Sequence, residues 1–356
     1  MSTPPMPPMP PLDAFAPHDA ALGPEEEFWE NSGWLVRACA EDGAEILLWH
    51  AHYIIRGRAQ AGRLAPGHRC FAQVLFTLDD RPPARRALHD SPFLVRGSRW
   101  TEHRPRAVLD AGQHEGAVRW SFGATVTDAS PPRFRIGHAE DALDYDIALE
   151  AIGPAHLVSG FRFIEGVELT ARAEGRVRWR GREYRIRGFA QHEKFHLREP
   201  DMLHAARGVG PWIGGRWWQW HCGFSDAACA FLQVEPVDGS GYARLVVDGR
   251  PMLFPAAGVA VEDHDPWPDP RSGVTIPARQ VLRLAGPEGE ARIEVRLFGR
   301  LYHLWDYAPA GVNLLHWCQG EAELLLRPTG GAVRRVPGLA WLSHTKRLFL
   351  ETGENL

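Results

Sequence analysis

The stretch Glu174–His196, EGRVRWRGREYRIRGFAQHEKFH, decides how the chain is read. Val177 and Trp179 alternate with arginine before Gly181, and Tyr184 and Ile186 alternate with arginine after it. A period of two puts each apolar pair on one face of a strand, and glycine between two such arms marks a hairpin turn. The same alternation recurs in Glu45–Ile55 (EILLWHAHYII), Cys70–Leu78, Ala117–Phe122, Asp144–Ala151, Trp217–Cys222, Ala228–Val234, Ala243–Val247, Ala291–Phe298 and Gly320–Leu326. Gly, Pro and Asp turns separate these segments, which predicts an all-β chain of antiparallel barrels or sandwiches with few short helices. Glu25–Asn31 reads as a helical turn or as entry into the first strand, and the Pro-rich segment Asp263–Pro277 reads as a loop.

The chain has 356 residues, enough for about two domains. The sequence changes texture near Arg187, where an arginine-rich hairpin gives way to a Trp/His-rich region. This divides it into a Pro-rich, disordered tail over 1–24, one β domain over 25–187 and a second over 188–356. A formal charge of -4 provides no bulk positive field, so nucleic acid is not an expected partner. The five cysteines are scattered without a CxxC pair, which argues against a disulfide framework or a cysteine zinc knuckle. No apolar run of membrane-spanning length and no basic-then-apolar leader are present, so the default expectation is a cytoplasmic protein. Substrate could still be met at a membrane surface.

Three segments could carry chemistry. The first is HEKFH, His192–His196, which matches the HExxH pattern of helical zinc sites. A zinc hydrolase would draw its third ligand from Glu199, Asp201 or His204. The preceding residues alternate as a strand, however, and in a strand His192, Lys194 and His196 share one face while Glu193 and Phe195 take the other. The second is Pro211–Phe224, PWIGGRWWQWHCGF, which holds Trp212, Trp217, Trp218 and Trp220; in strand alternation Trp218 and Trp220 share one face, and Trp217, Gln219 and His221 the other. Aromatic walls of this kind suit an apolar, unsaturated or cationic ligand, and they equally serve to plug a barrel. The third, Leu301–Trp317, gathers Tyr302, His303, Trp305 and Asp306; a carboxyl buried among aromatics is a candidate proton donor, or else a turn cap. His50 and His52 also share a strand face. No GxGxxG, GxxxxGK[ST] or GxSxG motif is present, so neither a nucleotide cradle nor a serine-hydrolase elbow is supported, and redox cofactor enzymes are disfavoured.

The order of these segments resembles the superfamily joining carotenoid 1,2-hydratases, AttH-type proteins, tocopherol cyclases and lipocalin-like Diels-Alderases. The resemblance spans about residues 25 to 350. It is carried by Glu27-Phe28-Trp29 to Trp34-Leu35, by LLWHAHYIIR, by DYDIALEAIGPAHLVSGF, by the quoted hairpin and its HEKFH end, and by Trp218-Gln219-Trp220. It implies two lipocalin-like β-barrels or sandwiches in tandem and a cofactor-free enzyme acting on a hydrophobic isoprenoid or polyketide-like molecule by hydration, cyclisation or pericyclic closure. A non-catalytic carrier of such a ligand is the alternative. On this reading His192, Glu193, His196 and Asp306 are the catalytic candidates. Trp218, Trp220, Tyr302, Trp305, His221 and His303 line the substrate pocket, and no metal is involved. The chain departs from the family in a long stretch, residues 197–216, between HEKFH and Trp217, and the acidic residue of that turn is here Glu193.

Overall fold

The computed structural model describes residues 9–18, 27–57, 69–88, 97–105, 109–161, 164–199, 217–224, 228–234, 241–270, 273, 275–306 and 312–348. The chain divides into two compact units: Met1–Asp80 with Arg96–Ala205, and Arg81–Val95 with Ala206–Leu356. The change of sequence texture at 188 does not coincide with this division. Residue 188 lies within a strand that pairs without interruption on both sides, so the first unit retains the whole of HEKFH.

Unit 1 holds β1 (Glu27–Ala40), β2 (Glu45–Gly57), β3 (Arg69–Asp79), β4 (Gly97–Pro105), β5 (Asp110–His114), β6 (Ala117–Phe122), β7 (Thr125–Ser130), β8 (Arg133–Ala139), β9 (Leu143–Ala151), β10 (His156–Phe161), β11 (Ile164–Trp179) and β12 (Arg182–Glu199). Their order is β4-β3-β2-β1-β12-β11-β9-β8-β7-β6-β5, with β10 paired to β11. Unit 2 holds β13 (Trp217–Phe224), β14 (Ala228–Val234), β15 (Gly241–Val247), β16 (Arg250–Pro255), β17 (Val259–Pro268), β18 (Thr275–Gly286), β19 (Gly289–Asp306), β20 (Val312–Pro328) and β21 (Arg334–Leu348). Their order is β16-β15-β14-β13-β21-β20-β19-β18-β17. Every pairing is antiparallel.

The hairpin predicted around Gly181 is present. Val177 pairs with Tyr184, and Arg180 and Gly181 both adopt positive φ, as a tight two-residue turn between twisted strands requires. Both sheets curl. In unit 1, His50 of β2 hydrogen-bonds Tyr145 of β9 and Thr127 of β7, although several strands separate them in ladder order. In unit 2, the ring of Phe254 on β16 closes on Gly286 at the end of β18. The curl gives each sheet an inner apolar face: Trp34, Val36, Leu48, Phe76, Trp120, Phe134 and Ile147 belong to the first core, and Phe224, Leu245, Phe254, Leu282 and Ile293 to the second. Where their side chains are described, β2 and β3 are buried on both faces, which explains why their sequences are apolar on both parities for much of their length, whereas β1 is equally buried but carries polar Glu30, Asn31, Ser32 and Arg37. Among the described residues no helix is long and apolar enough to cross a membrane.

Two expectations are overturned. Asp263–Pro277 is largely strand: Pro266 of β17 pairs with Pro277 of β18. β17 is the outermost strand of its sheet, where an N–H facing away from β18 has no ladder bond to lose, and Pro277 of β18 precedes Arg279, the first residue of that strand to pair with β19. The N-terminal segment is not a disordered tail throughout, because Leu12–Phe15 forms a 3-10 turn and Phe15 is 1% exposed in the first core. Burial of this aromatic side chain seats the proline-bounded stretch on the first core.

Candidate functional site

The inner face of the first sheet carries a row of polar residues where its alternation calls for apolar ones. On β1 the row is Glu30 and Ser32, leading into Trp34; on the neighbouring β12 it is His192 and Lys194. Lys194 Nζ donates to Glu30 Oε1, and both side chains are essentially inaccessible to water. Glu30 also accepts the backbone N–H of His18 at 2.9 and 3.1 Å. Ser32 Oγ lies 3.4 Å from His192 Nε2. The His192 ring sits among Trp34, Phe15 and Phe134 at centroid separations of 4.5, 5.7 and 6.1 Å. Lys194 lies 5.9 Å over the Trp120 ring, which continues the row to a second cluster.

That cluster comprises His50, His52 and His138. His50 Nδ1 meets Tyr145 Oη at 2.6 Å and its Nε2 meets Thr127 Oγ1 at 2.9 Å; His52 Nε2 meets Thr125 Oγ1 at 2.9 Å. His138 stacks on Tyr145 and meets Trp100 edge-on. Burial holds these imidazoles neutral. It pushes His192 down to about 3, with Lys194 adding to the effect, and it pushes His52 and His138 down to about 4. His50 is lowered well below its ordinary value by burial first and then by His52 and His138. Burial raises the Tyr145 phenol, so it stays protonated. His52 Nδ1, His192 Nδ1 and both nitrogens of His138 are buried with no hydrogen-bond partner. Buried polar atoms are nearly always paired, so these exceptions, which share one inner face, mark it as a candidate site, although Arg244, Trp317 and Trp341 of unit 2 hold such atoms too.

HEKFH lies in β12, and the strand parity expected for it holds. His192 and Lys194 point inward, whereas Glu193 occupies the other face and accepts from Asn31 Nδ2 at 2.8 Å. His196 shares the parity of His192 near the end of the strand, stacked 4.5 Å from His18 and with Nε2 3.4 Å from Glu165. Burial lowers its pKa, helped by His18 and Lys194 and opposed by Glu165. The zinc reading of HEKFH is therefore overturned, because two histidines four residues apart in a strand are separated by about 13 Å and cannot share a metal ion. Among the described residues, no group of three potential ligands converges on a metal position. Asp201 and His204 lie outside those residues.

In unit 2, His221 is fully buried and pushed down to about 3 by burial and Arg244. Trp218 and Trp220 stand on β13, register partners of Val234 and Leu232. Tyr302, His303, Trp305 and Asp306 stand on β19, paired with His316, Leu315, Asn313 and Val312 of β20. The side chains of these six lie outside the described residues. Cys222 and Cys318 are free thiols that burial pushes up to about 12, which removes them as nucleophiles. Sequence reading missed Glu30, Ser32, Thr125, Thr127, His138 and Tyr145. Their only signal was a polar residue at a core-facing position of an alternating strand.

No family model and no curated protein matches the chain. Solved structures do. A protein described as AttH from Nitrosomonas europaea superposes with a TM-score of 0.53 over 94% of this chain and 99% of its own, at 15% identity. CghA, solved with Sch210972, superposes with a TM-score of 0.52 over 90% of this chain and 89% of its own, at 14% identity. By fold the chain is thus an all-β protein of two curled, lipocalin-like antiparallel units in tandem. It shares this architecture along nearly its whole length with AttH and CghA, as the sequence resemblance implied.

Proposed function

We propose that the chain is an enzyme for a hydrophobic, unsaturated small molecule of isoprenoid or polyketide type, acting without an organic cofactor on the inner face of unit 1. One observation carries this reading: unpartnered nitrogens of His52, His138 and His192 are buried on an aromatic inner face that also holds Lys194. Trp34, Trp120 and Phe134 supply ring faces for an apolar chain, and the imidazoles and the Lys194 ammonium supply donors for its oxygen atoms. Glu30 holds Lys194 in place, and Ser32 orients the His192 ring.

The protonation states favour polarisation over outright proton donation. An imidazole with a pKa between about 3 and 4 is protonated in only about one molecule in a thousand or fewer at neutral pH. Neutral N–H groups and a held ammonium in a dry interior stabilise negative charge that develops on a carbonyl conjugated to an alkene. That assistance serves ring closure within a folded polyene, and it serves addition of water to the activated alkene. His196 stands at the end of the row beside His18, and Asp306 belongs to the other unit as a separate candidate acid.

The test is incubation of the full-length protein with linear polyenes that carry a conjugated carbonyl, followed by mass spectrometry of the extract. A product isomeric with its substrate identifies cyclisation, and one heavier by a single water identifies hydration. Formation should fall at least about tenfold in His192→Ala and Lys194→Met, as for loss of an oxyanion-type donor. Tight binding with every substrate recovered unchanged identifies a carrier and overturns the enzymatic reading.

A further inference from the structure

The segment Met9–His18 enters unit 1 by its own side chains. Phe15 is in ring contact with Phe134 at 5.4 Å and with His192 at 5.7 Å, and its carbonyl accepts the Trp120 indole N–H at 3.0 Å. Three residues on, the backbone N–H of His18 is held by the Glu30 carboxylate and its ring is stacked on His196. Phe15 therefore seals carbon against an imidazole whose Nδ1 has no partner. A permanent wall would leave that nitrogen unpaired for good, whereas a movable one would release it to a ligand atom. The attachment suits movement. Besides the inserted Phe15 ring, the His18 stack and a few backbone hydrogen bonds, Met9, Leu12, Ala14 and Ala16 rest only partly buried on the core, the described residues 9–18 make no strand pairing, and Pro11 and Pro17 bracket the turn.

We propose that Met9–His18 is a gating strap: Phe15 holds the place beside His192 that an apolar ligand takes, and the strap lifts to admit the ligand. The inference rests on the inner face of unit 1 being the binding site. It names Phe15 as the residue that sets which apolar group fits next to His192, and His18 as the latch on Glu30.

The test uses the full chain and two readouts that need no turnover. The first is acylation of His192 by diethyl pyrocarbonate, mapped by peptide mass spectrometry, with buried His221 in unit 2 as the internal reference. The second is the stopped-flow uptake rate of 1-anilinonaphthalene-8-sulfonate. Phe15→Ala should raise His192 acylation and dye uptake by about tenfold while His221 stays protected, since local opening then no longer has to withdraw a buried ring. Pro17→Gly loosens the strap through its backbone and leaves the interior intact. It should raise both several-fold, and it keeps the test decisive if Phe15→Ala does not fold. The proposal is overturned if His192 stays as unreactive in Pro17→Gly as in the parent, or if dye enters all variants at the parent rate. Because neither readout involves a product, the strap can fail while turnover is found, and turnover can fail while the strap is found.

Discussion

Lys194 reaches Glu30 diagonally across the β1–β12 ladder: Glu30 stands opposite His196 and Lys194 opposite Ser32, yet the two charges meet on the inner face away from water. The pair joins residues 164 positions apart in the chain. It also places a fixed ammonium where the rest of the inner face is aromatic or neutral.

Removing one member of this pair should cost far more than removing both. Lys194→Met or Glu30→Gln alone leaves a buried charge uncompensated and should destabilise unit 1 by about 3–5 kcal/mol in urea unfolding. The Glu30→Gln/Lys194→Met double variant should recover more than half of that loss. Additive single costs would show that the two residues act independently.

His138 is a stability liability kept in the interior. Neither of its buried nitrogens has a hydrogen-bond partner, Glu140 Oε2 standing 4.0 Å from Nε2, and its ring already packs on Tyr145 and Trp100. His138→Phe should therefore raise stability by about 1–2 kcal/mol in the same unfolding experiment, by removing unsatisfied polar atoms. On the proposed function it should also weaken turnover. A destabilised His138→Phe would mean that a polar partner is present after all.

Stability should fall steeply on acidification. His52 and His138, at about 4, and His192, at about 3, all lie below their ordinary 6.5. As pH drops below 6.5 the unfolded chain takes up protons that the folded chain refuses, so stability is fully present above 6.5 and is lost progressively below it. Each group removes about 1.4 kcal/mol per pH unit, so these three together exceed the stability of a typical domain after a few units. Far-UV circular dichroism should show unit 1 unfolding with a midpoint between about pH 4 and 5. A flat stability between pH 7 and pH 5 would contradict this.

Two glycines of the β11–β12 hairpin should respond differently to alanine. Gly181 has φ +81 with open space around it, so Gly181→Ala meets only backbone strain of about 1 kcal/mol. At Gly188 a Cβ would lie 2.1 Å from the Arg37 carbonyl oxygen and 2.5 Å from Ala38 Cα, so Gly188→Ala must push β12 away from β1 and should cost about 3 kcal/mol. Thermal melts of the two variants should therefore separate clearly, and equal shifts would show that β12 can slide to absorb the methyl.

Much of the fold was legible because strand alternation is a local property. Ala117–Phe122 and Ala228–Val234 were bounded correctly from alternation and turns, and the Gly181 hairpin from two apolar pairs facing each other. The parity of HEKFH was legible for the same reason. The strand over Asp263–Pro268 was not, since whether a proline breaks a ladder depends on which edge of the sheet it occupies.

The sequence by itself determined the class of the protein: a two-residue period, repeated between turns, commits each segment to one inward and one outward face, and no helical reading satisfies it. Only the tertiary structure decided which inward faces meet. The curl of the first sheet brings His50 of β2 to Tyr145 of β9, β1 pairs with β12 to join Glu30 to Lys194, and Phe15 seats against His192. These partners are set by ladder order and sheet curvature, which act over the whole chain and leave no trace in the spacing of residues along it.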